Sequence, residues 1–278
     1  MSYRRIHFLV SAHGSLTSLA AIDYACGLAH SMGAALDVTL PQFDVKVPQN
    51  WFAGRIMAGI AWDIEATISA KRTEHEMQLK QRCEAAGVGF TISAVTVDWP
   101  GGASSLASFG RTSDLCLLGL TRSPVADIAE VEPWLFSTGR PCLLSPDNRT
   151  EAVSLDTAAI AWDMSRSAAR AVADALPLLK RAKSVHVLVG RGEKGIASSQ
   201  PAAPLVAYLA AHGIGAAVDE FDVSEQKIGD ALVWRAASHN ADLLVMGAFG
   251  HSRLREFVLG GATRRVLDTT PIPLLMSH

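Results

Sequence analysis

The chain has 278 residues, which is long enough for two domains of ordinary size or one large one. Hydrophobic residues make up 49% and charged residues 19% of it, a composition that supports sizeable buried cores and excludes an intrinsically disordered protein. The formal net charge of −2 excludes a general electrostatic attraction to nucleic acid or to anionic membranes.

The N-terminal segment predicts a strand and a turn rather than a targeting segment. The apolar run at residues 6–10 is broken at once by Ser11 and His13, so it is too short for a signal peptide or a membrane span. A second apolar run, residues 202–211, is interrupted by Pro204 and is also too short to cross a bilayer. We therefore expect a soluble, cytoplasmic protein that does not associate with a membrane.

The cysteines are scattered along the chain and none forms a Cys-x-x-Cys pair. They are Cys26, Cys83, Cys116 and Cys142. In a chain that is not exported, such cysteines are expected to be buried thiols rather than disulfides. No metal site is predicted, because no two of these ligands have the short spacing of a zinc site.

The sequence repeats itself. Three pairs of segments match: 6–15 with 158–165, 114–119 with 242–247, and 140–145 with 272–277. The offset between the copies is 150 residues at His13 and Asp163 but 128 residues at Gly119 and Gly247. The first copy therefore contains about 22 additional residues, which we place in residues 43–82.

The second half alternates short apolar runs with amphipathic ones, which predicts a parallel sheet covered by helices on both faces. The predicted strands are residues 158–162, 184–190, 215–221, 242–246 and 272–276. The predicted helices are residues 166–181, 201–212, 226–239 and 261–269. We expect Pro177 to kink or shorten the first helix. The polar segment 146–151 joins the repeats, so we divide the chain into domains at 1–148 and 149–278.

A glycine-containing loop follows the fourth predicted strand of the second half and runs into its last helix. Its glycines are Gly247, Gly250, Gly260 and Gly261. The first two permit close approach of a ligand to the backbone, and the last two leave uncrowded amide groups at a helix start, where an anion is favoured. Thr263 could add a hydroxyl donor, and Arg253 could reach a phosphate. Spacing alone leaves open whether this is a phosphate site or only a turn and a helix cap.

The spacing Gly247-x-x-Gly250, nine residues, Gly260 resembles the G-x2-G-x9-G-[ST] signature of the ATP-binding universal stress proteins. The resemblance extends over the second half, from Asp163 at the end of its first strand to the strand at 272–276. It implies an α/β fold of two tandem Rossmann-like (adenine nucleotide alpha hydrolase-like) domains, each a five-stranded parallel sheet between helices.

By the same resemblance, the second domain holds ATP, with or without Mg²⁺. In that family the aspartate lies near the adenine, the end of the second strand lines the base pocket, and the glycine loop holds ribose and phosphates. The implied residues are Asp163, Val189, Met246, Gly247, Gly250, Gly260, Gly261 and Thr263, to which the loop itself adds Arg253. The chain departs from the signature at Gly261, where the family has Ser or Thr, so one hydroxyl donor to phosphate is missing.

The first half resembles the family at its start and its end but lacks the ATP motif. His13 is aligned with the aspartate, and no second glycine follows Gly119 at the right spacing. Three acidic residues, Asp127, Glu130 and Glu132, place negative charge where phosphates would lie. We interpret this half as a structural or regulatory partner without a standard ATP site.

Three other signals have competing explanations. The literal G-x-G-x-x-G at 190–195 does not lead straight into a helix, which disfavours a dinucleotide site. His13 and His251 lie at loop mouths, where surface or hydrogen-bonding roles are commoner than catalysis.

Ser15 and Ser165 are explained as helix N-caps. Residues 55–86 read as an amphipathic helix over the sheet or, alternatively, as a lid or partner surface.

The expected function is therefore a nucleotide-binding regulatory protein of the stress response and not an enzyme, with no catalytic residue assigned. The alternatives are a slow ATPase or nucleotide-dependent transferase on the same fold, and a scaffold that has lost the nucleotide. The resemblance implies that the two domains pair through their last strands within the chain. It also allows a homodimer and a protein partner that the sequence does not identify, whereas no nucleic acid partner is expected.

Overall fold

The computed structural model describes most of the chain. The described residues are 2–10, 18–44, 73–98, 102–121, 124–146, 153–191, 202–223, 227–248 and 261–278. The strands of the first half are β1 (Arg5–Leu9), β2 (Ala35–Asp44), β3 (Phe90–Asp98), β4 (Leu115–Leu120) and β5 (Cys142–Pro146). Its helices are α1 (Leu19–Met32), α2 (residues 73–85), α3 (Gly102–Ala107) and α4 (Pro124–Ser137), with a short 3-10 helix at Ser108–Thr112.

The second half contains every strand and helix predicted for it, with small shifts at their ends. Its strands are β6 (Thr157–Ala161), β7 (Ser184–Arg191), β8 (Ala217–Asp222), β9 (Leu243–Gly247) and β10 (Leu274–Ser277). Its helices are α5 (Arg166–Leu179), α6 (Ala203–Ala211), α7 (Ile228–Ser238) and α8 (Gly261–Thr269). Helix α5 continues past Pro177 and ends two residues later, which is earlier than predicted.

The ten strands form one sheet in the order β3-β2-β1-β4-β5-β10-β9-β6-β7-β8. All neighbouring strands are parallel except β5 and β10, which pair antiparallel. Helices α1, α2, α5 and α6 pack on one face of the sheet and α3, α4, α7 and α8 on the other. Each half is thus a five-stranded parallel sheet between helices, as the predicted fold class requires. A helix with the length and apolarity needed to span a bilayer is absent from the described part of the chain.

The two halves meet where β5 pairs with β10. Leu143 lies opposite Leu275, and both side chains are fully buried. Helices of both halves share one hydrophobic cluster on that face of the sheet. The hydroxyl of Tyr3, in the first half, donates to the carbonyl of Asp174, in the second, at 2.6 Å. The halves therefore share a core as well as a sheet.

One repeated residue of the sequence has a structural explanation. Asp114 and Asp242 each lie just before the fourth strand of their half. A side-chain oxygen of Asp114 accepts the N–H of Arg5 at 3.0 Å, and Asp242 accepts the N–H of Thr157 at 3.0 Å. Each aspartate therefore ties the start of the first strand of its half to the start of the fourth.

Strand register aligns the two halves up to Val10 and Trp162. The N–H of Val10 bonds to β2 as the N–H of Trp162 bonds to β7, so these two residues occupy equivalent positions. The next residue is Ser11 in the first half and Asp163 in the second. His13, which the comparison of the repeats aligned with Asp163, lies outside the described residues. The connection before α1 is longer than the connection before α5, so a constant offset between the halves does not hold beyond Val10.

The N-caps of α1 and α5 lie at different distances from the preceding strand, because the loop before α1 is longer. Ser165 caps α5 by accepting the N–H of Ala168 at 3.1 Å, as predicted. Helix α1 is capped by Ser18, which accepts the N–H of Ala21 at 3.1 Å, so the predicted cap at Ser15 is wrong.

The additional residues of the first half lie in the connection between β2 and β3, as predicted. That connection covers residues 45–89, whereas its counterpart between β7 and β8 covers residues 192–216. Of the helix considered at 55–86, the structure describes the part from residue 73 onward, which forms α2.

Candidate functional site

The topology of the second half creates a crevice between β6 and β9. From β6 the chain crosses to β7 through α5 on one face of the sheet, and from β8 it crosses back to β9 through α7 on the other face. Strand order therefore reverses between β6 and β9. In open α/β sheets, ligands bind outside the carboxyl ends of the strands at such a switch point.

Asp163 lies at this crevice, two residues after β6. One of its carboxylate oxygens accepts the N–H of Ser165 at 2.9 Å, which closes a tight turn before α5. Met164, between them, has φ of 62°, a conformation that side chains rarely adopt. Its side chain is exposed. The turn thus fixes the Asp163 carboxylate at the carboxyl edge of the sheet.

Gly247 ends β9 on the other side of the crevice and touches the first turn of α5. A Cβ atom at this position would lie 2.5 Å from the amide nitrogen of Ala168 and 2.6 Å from Oγ of Ser167. The close approach therefore requires glycine for packing, whether or not a ligand binds. It also brings the start of the glycine-containing loop beside the turn that holds Asp163.

Thr263 and Gly261 define the start of α8. The hydroxyl of Thr263 donates to the carbonyl of Ala248 at 2.9 Å and is almost fully buried, so it ties α8 to the end of β9. Among the described residues outside its own turn of helix, no atom lies within 4 Å of a Cβ atom built at Gly261. The N-terminal end of α8 is thus held at the carboxyl edge of the sheet, without a packing contact to a described neighbour at its first residue.

Two other implied residues place their side chains in the core. Val189 belongs to the cluster under α5 and α6, and Met246 to the cluster under α7 and α8. Their backbones alone can line the crevice. Gly250, Arg253, Gly260 and His251 lie outside the described residues.

Glycines outside the motif have packing roles that sequence analysis did not identify. A Cβ atom at Gly190 would lie 2.7 Å from Cδ1 of Ile228, so the first glycine of the G-x-G-x-x-G segment makes room for α7. Gly195 lies outside the described residues. At Gly229 a Cβ atom would lie 2.9 Å from the carbonyl oxygen of Ala262, so α7 and α8 pack backbone to backbone there. The sequence signal for this packing is Gly229 itself, a glycine in the first turn of α7.

In the first half, an acidic side chain lies at the carboxyl end of β4, the strand that corresponds to β9. The N–H and the hydroxyl of Thr121, just after β4, both donate to one carboxylate oxygen of Asp127, at 2.8 Å and 2.7 Å. Asp127 and Glu130 are buried on α4, and Glu132 is half-buried there. The first backbone N–H after β4 is therefore already hydrogen-bonded to an acidic side chain. Among the described residues, no group of three or more His, Cys, Asp or Glu side chains is placed to hold a metal ion.

Comparison with known proteins agrees with this geometry. The model of the universal stress protein family matches residues 155–278, the region that contains β6 to β10 and the crevice. The second half of the chain therefore matches the universal stress protein family. A universal stress protein of Synechocystis is 48% identical over 46 residues, which are 16% of each of the two proteins. The aligned region thus spans only a small part of that relative's length.

Solved structures extend the likeness of fold to the first half. A universal stress protein from Archaeoglobus fulgidus covers 98% of this chain and 95% of its own, with a TM-score of 0.72 and 17% identity. A putative universal stress protein from Pseudomonas aeruginosa covers 99% and 93%, with a TM-score of 0.60 and 12% identity. At these identities the shared property is the fold.

Proposed function

We propose that the second half of the chain, residues 149–278, binds ATP in the crevice between β6 and β9. One observation carries the proposal: the first turn of α5 packs on Gly247, which places the Asp163 turn beside the start of the glycine-containing loop. The switch-point position supports it, because parallel α/β sheets bind ligands there. The chain then acts as a nucleotide-dependent regulator in the stress response.

Each described residue has a defined part in this site. The Asp163 carboxylate accepts hydrogen bonds from the base or the ribose, while the backbones at Val189 and Met246 line the base pocket. The amide groups at the start of α8 receive the phosphates, since unpaired donors and the helix dipole favour an anion there. Thr263 positions α8 through its bond to Ala248. Mg²⁺, where present, accompanies the phosphates.

In this proposal the first half is a partner without an ATP site. Its counterpart edge has the Asp127 carboxylate bound to Thr121, and a second buried acid, Glu130, lies on the same helix. Negative charge at that position repels phosphate. Binding to one half that shares its core with the other stabilises the whole chain by mass action.

The test is calorimetric titration of the nucleotide-free protein with Mg-ATP, beside two glycine variants. Gly261→Val adds bulk at the start of α8, where no described residue of another element lies within 4 Å, and is expected to weaken binding by at least about tenfold. Gly215→Val is the matched control: a Cβ atom at Gly215 also meets no described atom of another element within 4 Å, but this glycine lies before β8 at the opposite edge of the sheet. This variant is expected to bind like the parent.

The outcomes separate the alternatives. One-to-one binding that is lost in Gly261→Val and kept in Gly215→Val supports the proposed site. Release of ADP during the titration favours the slow ATPase instead. A folded parent that gives no heat and no thermal shift with ATP overturns the proposal and leaves a scaffold.

A further inference from the structure

Two cysteines from distant parts of the first half lie in direct contact. Sγ of Cys26, on α1, is 3.1 Å from Sγ of Cys83, on α2. Cys26 is 3% exposed and Cys83 is fully buried. The two residues are 57 positions apart in the sequence, so the fold alone brings them together.

The helices around these cysteines are held in a fixed register. An ion pair joins Arg82 of α2 to Asp23 of α1, one turn of α1 away from Cys26. On the buried side, Leu79 and Leu28 belong to the same hydrophobic cluster as both cysteines. Contacts on two sides therefore keep the two sulfur atoms facing each other.

We propose that Cys26 and Cys83 form a reversible disulfide when the protein meets hydrogen peroxide, and that this bond joins α1 covalently to α2. The length of an S–S bond is about 2.05 Å, so the two sulfurs have to approach by about 1 Å. The proposal requires the two side chains to rotate toward each other by this amount.

The reaction balances with one molecule of peroxide. The Cys83 thiolate attacks a peroxide oxygen, the O–O bond breaks, and Cys83 becomes a sulfenic acid as hydroxide leaves. Cys26 then attacks the Cys83 sulfur: the S–S bond forms, the S–O bond breaks, and the oxygen leaves as water. With the released protons, two thiols and one peroxide give one disulfide and two molecules of water.

Either sulfur can donate in the contact between the two thiols, and the proposal takes Cys26 as the donor. Donation from Cys26 lowers the pKa of the Cys83 thiol, because it stabilises the thiolate. The same bond, with burial, raises the pKa of Cys26. Cys83 is therefore the attacking thiol and Cys26 the one that resolves the sulfenic acid. Burial also selects the oxidant, since a molecule as small as hydrogen peroxide needs less opening of the helices than glutathione disulfide does.

The other cysteine pair provides an internal control. Cys116 and Cys142 lie opposite each other on the neighbouring strands β4 and β5, and both are fully buried. A hydrogen bond with Cys116, together with burial, raises the pKa of the Cys142 thiol, which disfavours the reactive thiolate. The Cys116 thiol also contacts the carbonyl of Gly110 at 3.8 Å. We expect this pair to stay reduced under conditions that oxidise the pair between the helices.

The experiment exposes the folded full-length chain to hydrogen peroxide, alkylates the remaining thiols and maps the peptides by mass spectrometry without reduction. The expected product is a peptide pair joined through Cys26 and Cys83, lighter by two hydrogen atoms and separated by dithiothreitol. The variant Cys26→Ala, Cys83→Ala retains the strand pair and is expected to show no cross-link. Glutathione disulfide at the same concentration is expected to act at least about tenfold more slowly.

The wild-type map decides the proposal even if the variant fails to fold. A cross-link between Cys116 and Cys142 in place of the expected one overturns it. Conversion of Cys83 to a sulfinic acid with Cys26 still free also overturns it, because the neighbouring thiol has then failed to resolve the sulfenic acid. Four alkylated thiols after exposure of folded protein have the same meaning.

Discussion

Gly247 and Gly261 belong to the same motif but have opposite surroundings. A Cβ atom at Gly247 would clash with the backbone of α5, whereas one at Gly261 would meet no described atom of another element within 4 Å. We expect Gly247→Ala to lower the free energy of unfolding by about 1–3 kcal/mol, since α5 must move. The matched change Gly261→Ala is expected to stay within about 0.5 kcal/mol of the parent. Urea unfolding measures both, and equal effects would contradict the packing role of Gly247.

His7 links the stability of the first half to pH. The side chain is 4% exposed, contacts the hydroxyl of Thr39 at 3.1 Å and packs against the ring of Trp134. Burial lowers the pKa of His7 from 6.5 to about 4, with Asp37 opposing and Arg5 assisting. The folded state therefore binds fewer protons than the unfolded state between these two values. Stability is present in full above about pH 6.5 and falls as the pH drops toward 4.

The expected loss from His7 between pH 7 and pH 4.5 is on the order of 2 kcal/mol. Urea unfolding at the two pH values measures it. In His7→Gln the glutamine does not titrate, so the decline between the two pH values should be smaller by that amount, whatever the variant's stability at pH 7. An unchanged decline would show that His7 is not the group responsible.

Individual residues also show where sequence reasoning stops. The types and order of the motif residues place Asp163 and Gly247 at strand ends, and the structure puts them there. The bond from Thr263 to Ala248 depends on how α8 packs against β9, which spacing does not express. The alignment of His13 with Asp163 lies outside the described residues, and loop lengths that differ between the repeats make such an alignment uncertain from sequence, since register becomes visible only in the sheet.

Among whole elements, the caps of α1 and α5 can be compared directly. Ser18→Ala and Ser165→Ala each remove a side-chain acceptor for an amide in the first turn, and each is expected to cost about 1 kcal/mol of stability. Ser31→Ala is the control, because the Ser31 hydroxyl donates to the carbonyl of Leu28, late in α1, and caps no amide of the first turn. Its cost should be within about 0.5 kcal/mol. Thermal or urea unfolding compares the three, and a cost at Ser31 equal to that at the caps would refute the assignment.

The two cap residues are expected to differ in their effect on ATP binding. The Ser165 side chain holds the first turn of α5 through the N–H of Ala168 and the hydroxyl of Ser167, next to the turn that the Asp163 carboxylate closes. If ATP binds there, Ser165→Ala should weaken ATP binding in calorimetry, whereas Ser18→Ala should not.

Strands and helices of the second half were predictable because their apolar periods are regular and polar turns separate them. Pro177 shows the limit of that reasoning: α5 continues through it because the helix already ends two residues later, where few backbone hydrogen bonds remain to be lost. The cap of α1 was placed three residues too early, since several serines precede the helix and only the folded loop selects Ser18.

At the scale of the whole molecule, the antiparallel pairing of β5 with β10 makes two sheets into one. Its register is symmetric: Leu143 faces Leu275, while Cys142 faces Met276 and Leu144 faces Leu274. Sequence repeats indicate that the two strands are related, but the pairing itself depends on which strand ends up at the edge of each half. It is this contact, with the shared cluster beneath it, that joins the halves.

The register predicts what the second half does by itself. In a chain limited to residues 153–278, β10 becomes an edge strand that exposes backbone groups and the buried side chains of Leu274, Leu275 and Met276. Because the pairing with β5 is symmetric about Leu275, a second β10 can take the place of β5 with Leu275 facing its own copy. We expect this fragment to form a homodimer, which sedimentation equilibrium measures directly.

The control for this prediction is Leu275→Lys in the same fragment. Two lysines facing each other at the centre of the pair repel, so this variant is expected to be monomeric, or dimeric only at much higher concentration. Circular dichroism establishes whether each fragment is folded. A parent fragment that is folded and monomeric contradicts the prediction, because its exposed edge then needs no partner. A parent fragment that does not fold contradicts it too, and shows that the second half depends on the core it shares with the first.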